Sequence, residues 1–222
     1  MELYHVFNRG VDKRSIATDK HDQRRFVRDL YEMNTAEAVN NLWYRANNPF
    51  SDVGRRYREE RLVTIHAWCL MRNHYHLLVS ENNEEGLSKF LKKLNMGYAK
   101  YFNERYNRSG ALFQGKTKKV LIQTEAHFLW ILHYIHLNPL DYNPGTKSWR
   151  TQCLRSPAQA LQYLEKYPWS SYGDYAEIKK EDHSPILEGS FLFKDREQYA
   201  SETKRYLKTM ADMPVSSQHL EN

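Results

Sequence analysis

The feature that most constrains the fold is an apolar run at residues 74–79 with histidines at two alternating positions. Its length and its leucine and valine content are typical of a β-strand. Side chains on a strand alternate between two faces, so His74 and His76 project from the same face and Tyr75 from the other. Two imidazoles on one side of a rigid strand can bind one metal ion. Because such a triplet also arises by chance around a core tyrosine, its interpretation depends on the rest of the chain.

A second informative pattern lies at residues 125–137, where apolar side chains recur with helical periodicity. Thr124 is a suitable N-cap, and Pro139 should end the helix because the residue before a proline is biased away from helical dihedrals. Tyr134 and Asn138 then lie one turn apart on one face. Facing the histidine pair, the phenol would be a candidate nucleophile and the amide oxygen a candidate third ligand. The alternative for Tyr134 is an ordinary aromatic in a chain with 16 tyrosines.

The remaining patterns predict a ferredoxin-like, split βαβ fold of the α+β class, an antiparallel sheet with helices on one face. Strands are expected at residues 3–7, 61–69, 74–79 and 117–123, and helices at 19–33 and 87–106. Asn82 or Asn83 is the expected N-cap of the second helix. Residues 34–60 are polar and irregular, so we expect an insertion there that faces solvent or DNA.

A C-terminal extension of helix and loop should follow the tyrosine helix. We expect a short helix at 157–165, a helical stretch within 191–210 and a frayed tail at 211–222. The chain is therefore divided into a first domain, residues 1–140, and an extension, residues 141–222.

The composition is typical of a soluble globular protein, with 41% hydrophobic and 27% charged residues. No run approaches the roughly 18 apolar residues of a membrane helix, and the N-terminus lacks the apolar core of a signal peptide. The two cysteines, Cys69 and Cys153, form no C-x-x-C pair, so we expect a reducing, cytoplasmic location. The net charge of +6 favours a polyanionic partner, although a mildly basic soluble protein would look the same.

Basic residues concentrate between Lys89 and Lys119, and aromatic residues are interleaved with them. Cations can contact phosphates and aromatic rings can stack on unpaired bases, so this stretch predicts contact with single-stranded nucleic acid. Several of these residues are expected to face the core instead, Phe90, Leu94 and Tyr101 in particular.

Residues 66–79, His-Ala-Trp-Cys-Leu-Met-Arg-Asn-His-Tyr-His-Leu-Leu-Val, resemble the HUH motif of single-tyrosine HUH transposases, the IS200-like family. Stretches that resemble its REP-associated tyrosine transposase branch lie at residues 4–10, 98–103, 110–116, 134–139 and 167–172. The resemblance runs in the family's order from about residue 3 to residue 175. The chain departs from the family at Arg72, where a proline is usual, and at residues 140–143, which replace a small and basic continuation.

The resemblance implies a metal-dependent endonuclease and strand transferase that acts on single-stranded or hairpin DNA, including REP-like palindromes, as a monomer or homodimer. It implies that His74 and His76 are metal ligands and that Asn138 holds the position of the third ligand. It also implies that Tyr134 is the nucleophile and forms a 5′-phosphotyrosine. Two imidazoles and an amide oxygen with open positions would suit Mg²⁺ or Mn²⁺.

DNA contacts are expected from residues at two places in the chain. Asn8 and Arg9 follow the first strand, where the resemblance implies DNA contact and the alternative is a simple turn. The candidates from the basic stretch are Arg108, Lys116, Lys118 and Lys119. His66 is expected to be structural. His5 could line the site beside the central strands, although packing is the favoured role, and His136 should lie on a different face of the helix from Tyr134.

Two alternatives to the transferase remain open at this point. One is a retired relative that binds hairpin DNA without cutting it, which the presence of all the expected chemical residues disfavours. The other is a metal phosphohydrolase in which water attacks, so that Tyr134 would not be needed. Modification of the tyrosine separates these functions.

Overall fold

The computed structural model describes residues 2–37, 61–151, 154, 156–178, 186–187 and 196–209. The strands are β1 Leu3–Arg9, β2 Val63–Leu70, β3 His74–Glu81 and β4 Lys118–Ile122. The helices are α1 Lys20–Glu32, α2 Gly86–Arg105, α3 Glu125–Leu137, α4 Pro157–Lys166, α5 Tyr172–Tyr175 and α6 Arg196–Thr209. Residues 38–60 of the expected insertion, Cys153 and the expected tail at 211–222 lie outside the described residues. None of the described helices has both the length and the apolar character needed to cross a membrane.

The four strands form one sheet in the order β2-β3-β1-β4, and every neighbouring pair is antiparallel. α1 connects β1 to β2, and α2 connects β3 to β4, so each helix crosses over a strand before the chain re-enters the sheet. This is the predicted split βαβ arrangement, and the ferredoxin-like fold is confirmed.

The two crossover helices cover one face of the sheet. Phe26 of α1 and Phe90 of α2 are buried in a core with Tyr75 and Val79 of β3. The aromatic residues of the basic stretch belong mostly to this core: Tyr98, Phe102 and Phe113 are all buried. Burial of these three rings agrees with the expectation that several residues of the basic stretch face the core, so they are not available to stack on bases.

The opposite face of the sheet is covered by α3 and the C-terminal extension. Ile131 and Ile135 of α3 pack with Cys69 and Leu78 of the sheet. The extension adds buried side chains to the same cluster, namely Trp149, Leu161, Leu164, Tyr172, Tyr199 and Leu207. The helices of the split βαβ unit thus lie on one face as expected, and the extension provides the second layer. The domain division at residue 140 stays a prediction.

Local sequence accounts for where α3 begins and ends. The Thr124 hydroxyl accepts a hydrogen bond from the His127 N–H at 3.1 Å, which confirms the expected N-cap. The α-helix ends at Leu137, and the chain continues as a 3-10 helix, Asn138–Tyr142, with Pro139 in its first turn. Proline is tolerated there because the first turn of a helix leaves backbone N–H groups without intrahelical acceptors.

The expected N-cap of α2 is wrong. The residue before Gly86 is Glu85, which has a left-handed φ of 59° and makes no side-chain capping hydrogen bond. Asn82 instead bonds the neighbouring strand, because its Oδ1 accepts from the Thr64 hydroxyl at 2.9 Å. Gly86 permits a close approach of the helix to that strand, since a Cβ at this position would lie 2.4 Å from the Leu62 carbonyl oxygen.

The two departures from the family pattern contact each other. The backbone N–H of Arg72, which a proline would lack, donates to the Tyr142 hydroxyl. The Arg72 guanidinium also donates to the Ser15 hydroxyl at 2.9 Å. The turn that enters β3 is therefore joined to the 3-10 segment that follows α3.

A buried carboxylate joins α1 to α2. Asp22 is fully buried and accepts hydrogen bonds from the backbone N–H of Thr18 at 2.9 Å and from Tyr106 Oη at 2.8 Å. Tyr101 donates to it at 3.0 Å, and Arg105 forms an ion pair with it. Burial alone would raise the pKa of Asp22, but the hydrogen bonds from Thr18 and the tyrosines outweigh burial and hold this pKa below its usual value.

Replacement of Asp22 by alanine should lower the free energy of unfolding by about 3 kcal/mol, because it removes the buried acceptor shared by Thr18, Tyr101 and Tyr106 and leaves Arg105 paired with Asp19. Urea unfolding at pH 7 measures the loss. The wild type should lose this contribution as pH falls through the depressed pKa of Asp22, so the variant should have a flatter stability profile at acidic pH.

The matched control is Glu104→Ala, which removes an exposed carboxylate that lies 3.8 Å from Lys100 Nζ on α2. An exposed ion pair contributes little, so this change should stay within about 0.5 kcal/mol of the wild type. Equal losses in the two variants would contradict a special role for the buried carboxylate.

Candidate active site

The histidine pair lies on the face of β3 that is covered by α3. The ring centroids of His74 and His76 are 5.0 Å apart with the ring planes perpendicular. Tyr75 points to the other face, where its hydroxyl donates to Asn95 Oδ1 at 2.9 Å. The predicted alternation along this strand is confirmed.

Hydrogen bonds at Nδ1 orient both rings. His74 Nδ1 lies 2.7 Å from Asn73 Oδ1, and His76 Nδ1 lies 3.0 Å from His5 Nε2. An amide oxygen only accepts, so His74 carries its proton on Nδ1 and has its lone pair on Nε2. The Nε2 atoms of His74 and His76 are both buried. Metal-binding histidines commonly use one ring nitrogen for such an orienting contact, so this pair fits a divalent ion bound through Nε2.

His5 is a site residue that sequence reasoning assigned to packing. Its ring does stack on Phe7, with centroids 5.1 Å apart, but its Nε2 also bonds His76. The register explains the contact, because β1 pairs with β3 so that Phe7 lies opposite His76 and His5 opposite Leu78. The signal in the sequence was that His5 and Phe7 share one strand face; which strand lies beside them is a tertiary fact.

Tyr134 is brought to the histidines, as predicted. Its ring centroid is 5.7 Å from that of His76 and 6.0 Å from that of His5, in edge-to-face geometry. The ring also stacks on Trp130, one turn earlier on α3, at 5.3 Å. Tyr134 is 2% exposed, so the phenol lies in a largely dry environment between α3 and the sheet.

Asn138 lies one turn beyond Tyr134 and is fully buried. Its Nδ2 donates to the backbone carbonyl of Tyr134 at 2.8 Å, and its Oδ1 accepts from Arg150 Nη2 at 2.8 Å. The helical spacing is as expected, and the amide oxygen proposed as a ligand is bound to a guanidinium. Arg150 was not among the residues identified in the sequence, because no pattern links it to a helix that ended earlier in the chain.

The described residues contain no group of three or more His, Cys, Asp or Glu side chains arranged to hold a metal ion. A metal bound by the histidine pair would therefore take its further ligands from an amide, from water or from a phosphate. That open arrangement is typical of catalytic sites, whereas structural zinc sites are closed by four protein ligands.

A cavity of about 350 Å³ opens beside His74. It is lined by Phe7, Asn8, Arg9, Asn73, His74, Gln114, Lys116 and Lys118. This cavity, which we call the histidine groove, thus contains a candidate metal ligand, His74. Four residues predicted to contact DNA share it: Asn8, Arg9, Lys116 and Lys118.

Two cations of the histidine groove lie on the histidine face of the sheet. Arg9 is paired with His74 in the β1–β3 register, and its Nη2 donates to Gln114 Oε1 at 3.3 Å. Lys118 lies opposite Phe7, with its Nζ 5.5 Å from the centre of that ring. Asn8 differs, because its Nδ2 donates to Thr117 Oγ1 at 3.1 Å and its Oδ1 accepts from the Arg9 N–H. The Asn8 side chain therefore stabilises the strand end.

Two other predicted DNA contacts lie outside this groove. Lys119 Nζ donates to Ser88 Oγ at 3.0 Å, at the start of α2 on the opposite face of the sheet. Arg108 follows the C-terminus of α2, where Nη1 donates to Asn103 Oδ1 at 2.8 Å. Neither residue lines the cavity beside His74. Lys119 points away from Lys118 because adjacent strand residues alternate in direction.

The C-terminal extension contacts α3 through two histidines of that helix, His133 and His136. His136 Nε2 lies 2.7 Å from Ser171 Oγ, and its Nδ1 contacts the Tyr199 hydroxyl of α6. His133 Nδ1 lies 3.2 Å from Thr203 Oγ1 on the same helix. Burial lowers the pKa of His136 well below its usual value and that of His133 to about 3, so both rings are neutral. His136 thus faces away from Tyr134, as expected, and helps to orient the tyrosine helix.

Comparisons with known proteins bear on this site. A family model described as "Transposase IS200 like" matches residues 4–138. Among solved structures, the chain is similar to the REP-associated tyrosine transposase bound to a REP hairpin, at 12% identity with a TM-score of 0.44, over 87% of this chain and 88% of that one. The comparison with curated proteins returned no match.

If the histidine pair binds metal as its geometry suggests, His74→Ala should abolish Mn²⁺ binding, because one ligand of an open site is lost. His5→Phe should weaken binding by about tenfold, as is typical for loss of a residue that orients a ligand. Titration followed by the electron paramagnetic resonance signal of free Mn²⁺ measures both.

The control for this pair of variants is His21→Ala. His21 lies on α1, where its Nδ1 contacts the Tyr101 hydroxyl on the opposite face of the sheet. Its removal should leave the Mn²⁺ affinity unchanged. Wild-type affinity in His74→Ala would show that the metal is bound elsewhere.

Proposed function

Since the chain belongs to the IS200-like transposase family, we propose that it is a metal-dependent DNA endonuclease and strand transferase with Tyr134 as its nucleophile. The observation that supports this most directly is the contact between the Tyr134 ring and His76, with centroids 5.7 Å apart. A phosphohydrolase that uses water would have no need of a tyrosine at that position, and a protein that only binds DNA would need neither group.

In the proposed reaction Tyr134 Oη attacks the scissile phosphorus. A bond forms between that oxygen and phosphorus, and the bond from phosphorus to the 3′ oxygen breaks. The phenol loses its proton, and the departing 3′ oxygen takes one up, so the products are a 5′-phosphotyrosine and a free 3′-OH. The covalent link conserves the phosphodiester for transfer to another 3′-OH, which a hydrolase cannot do.

The residues around Tyr134 are suited to position it. A tyrosine phenol has an ordinary pKa of about 10 and is mostly protonated at neutral pH, so attack depends on exact placement and on the charges nearby. Trp130 stacks on one side of the ring, and His5 and His76 contact it edge on. The ring is 2% exposed and is thus shielded from bulk water, the competing nucleophile.

His74 and His76 would hold the metal through Nε2, and Asn138 is the proposed third ligand. Mg²⁺ or Mn²⁺ in such a site would neutralise charge on a nonbridging phosphate oxygen as the pentavalent transition state develops. The side chains of the chain itself supply the orientation: Asn73 and His5 fix the two imidazoles, and the backbone carbonyl of Tyr134 fixes the Asn138 amide.

The histidine groove is the proposed binding site for the DNA strand. Arg9, Lys116 and Lys118 line it beside His74, so a phosphate backbone that follows these cations would pass the metal site. Its volume of about 350 Å³ suits a small unit such as a nucleotide, which favours single-stranded DNA or the unpaired parts of a hairpin over continuous duplex. REP-like palindromes are the proposed target, and cleavage by a monomer or homodimer in the cytoplasm is the proposed setting.

Tyr134→Phe should keep the fold and the affinity for DNA, since it removes only a hydroxyl, and should abolish both cleavage and the covalent adduct. Incubation with single-stranded hairpin libraries and Mn²⁺, followed by a denaturing gel, detects the adduct. Tyr4→Phe is the matched control, because the Tyr4 hydroxyl bonds Glu2 at the protein surface and not the histidines. It should form the adduct at the wild-type level.

Peptide mapping of the trapped adduct gives the decisive result. DNA attached to Tyr98, Tyr101 or Tyr142 would show that another tyrosine is the nucleophile within the same class of enzyme. Hydrolysis at the wild-type rate by Tyr134→Phe would show that water attacks, and the phosphohydrolase would be the correct function.

Lys118→Ala and Lys119→Ala form a second matched pair, because these neighbours point to opposite faces of the sheet. Loss of a phosphate contact at Lys118 should weaken binding of single-stranded DNA and reduce the slope of log K against log salt concentration by about 0.7. Lys119→Ala should change this slope much less. Fluorescence anisotropy at several salt concentrations measures both slopes, and equal effects would rule out the histidine groove as the route of the strand.

A further inference from the structure

The amide of Asn138 is held between two fixed partners. Its Nδ2 donates to the Tyr134 carbonyl oxygen, and its Oδ1 accepts from Arg150 Nη2, each at 2.8 Å. A carbonyl oxygen only accepts and a guanidinium only donates, so these partners allow one orientation of the amide. The oxygen atom proposed as a metal ligand therefore faces a cation.

Arg150 is itself fixed in place by several contacts. Its Nη1 forms an ion pair with Asp141, and its guanidinium carbon lies 4.3 Å from the ring centre of Trp149. Trp149 is fully buried, and its Nε1 donates to the same Asp141 oxygen at 2.8 Å. The guanidinium carbon also lies 5.5 Å from the ring centre of Tyr134. The cation thus contacts the proposed nucleophile and the proposed third ligand together.

A guanidinium and a divalent cation are poor neighbours on one amide oxygen. The hydrogen bond from Arg150 withdraws electron density from that oxygen, and the two positive charges repel each other at short range in a partly buried site. Orienting partners of metal ligands are usually neutral or anionic groups, as the Asn73 amide is for His74. Arg150 does not fit that role.

We propose that Arg150 is a positioning residue that competes with the metal for Asn138 Oδ1, so that the DNA-free protein binds its metal without Asn138. The inference rests on the proposed function, because it takes His74, His76 and Asn138 as the ligand set. In the DNA-free protein, Arg150 then keeps the proposed third ligand from the metal. A phosphate offers the guanidinium two charged oxygens in place of one neutral amide oxygen. Binding of Arg150 to a DNA phosphate would therefore free Asn138 Oδ1 for the metal.

The test is a double-mutant cycle on Mn²⁺ affinity in the absence of DNA, measured by electron paramagnetic resonance. Arg150→Gln should bind Mn²⁺ about tenfold more tightly than the wild type, because Asn138 becomes available as a ligand. Asn138→Ala alone should stay within about twofold of the wild type. The double variant should return to the wild-type affinity, because the gain depends on the Asn138 amide.

Two results would overturn the proposal. Unchanged or weaker Mn²⁺ binding by Arg150→Gln would show that the guanidinium does not compete for the amide. A gain in Mn²⁺ affinity that persists in the double variant would have another cause, either a contribution from Asp141 or the loss of a nearby positive charge. Arg9→Gln is the matched charge control, since Arg9 is paired with His74, while the guanidinium bound to Asn138 Oδ1 is that of Arg150. Any effect it has should be the same with and without Asn138→Ala.

Thermal unfolding without metal checks that each variant folds. If Arg150→Gln does not fold, Arg150→Lys provides the second test, because lysine keeps the charge beside Asp141 and lacks the fork that reaches both partners. It should show a smaller gain that again disappears with Asn138→Ala.

His74→Ala in each background separates the two proposals. Retained Mn²⁺ binding there would show that the proposed metal site is wrong, whatever Arg150 does. Loss of Mn²⁺ binding in His74→Ala, together with unchanged Mn²⁺ affinity in Arg150→Gln, would be consistent with the proposed function. It would reject only the competition between Arg150 and the metal for Asn138.

Discussion

The antiparallel pairing of β1 with β3 is the interaction on which the site depends. It places Arg9 opposite His74 and Phe7 opposite His76, so that His5 can reach His76 from the neighbouring strand. The pairing also puts β1 at the centre of the sheet, between β3 and β4, and brings Lys118 to the same face. A shift of one residue in this register would turn every one of these side chains to the opposite face. The two proposed metal ligands, the histidine that contacts one of them and the cations of the groove are therefore set by one ladder of backbone hydrogen bonds.

The two faces of the sheet are covered by different elements and hold different kinds of residues. The face under α1 and α2 is a closed apolar core, and the buried Asp22 network joins these two helices. The other face holds the histidines beneath α3, and the C-terminal extension packs on the far side of that helix through His133 and His136. The proposed role of Tyr134 as a nucleophile requires such support, because small displacements from a productive geometry cost large factors in rate. The extension thus contributes to the site through the orientation of Tyr134.

Charge alone was a poor guide to the groove. The basic stretch between Lys89 and Lys119 divides in three dimensions: Lys116 and Lys118 line the histidine groove, Lys119 points to the other face, and Arg105 belongs to the Asp22 network. The interleaved aromatics are mostly core residues, because an amphipathic helix that covers a sheet must bury one side. Residues of one basic stretch thus have different surroundings according to the face of the sheet on which they lie.

Apart from the N-cap of α2 and the short helix α5, periodicity and capping residues in the sequence determined the strands, the helices, the shared face of His74 and His76, and the turn that separates Tyr134 from Asn138. These are local properties, and a strand or helix with a clear period places its side chains without reference to the rest of the chain. Only the tertiary structure decided that His5 supports His76, that Arg150 binds Asn138, and that Arg72 meets Tyr142. Each of those contacts joins segments that are distant in sequence and adjacent only after the sheet order is set. No local pattern predicts these contacts. The order of the strands and the path of the extension depend on how the apolar faces of the sheet and helices are buried against one another.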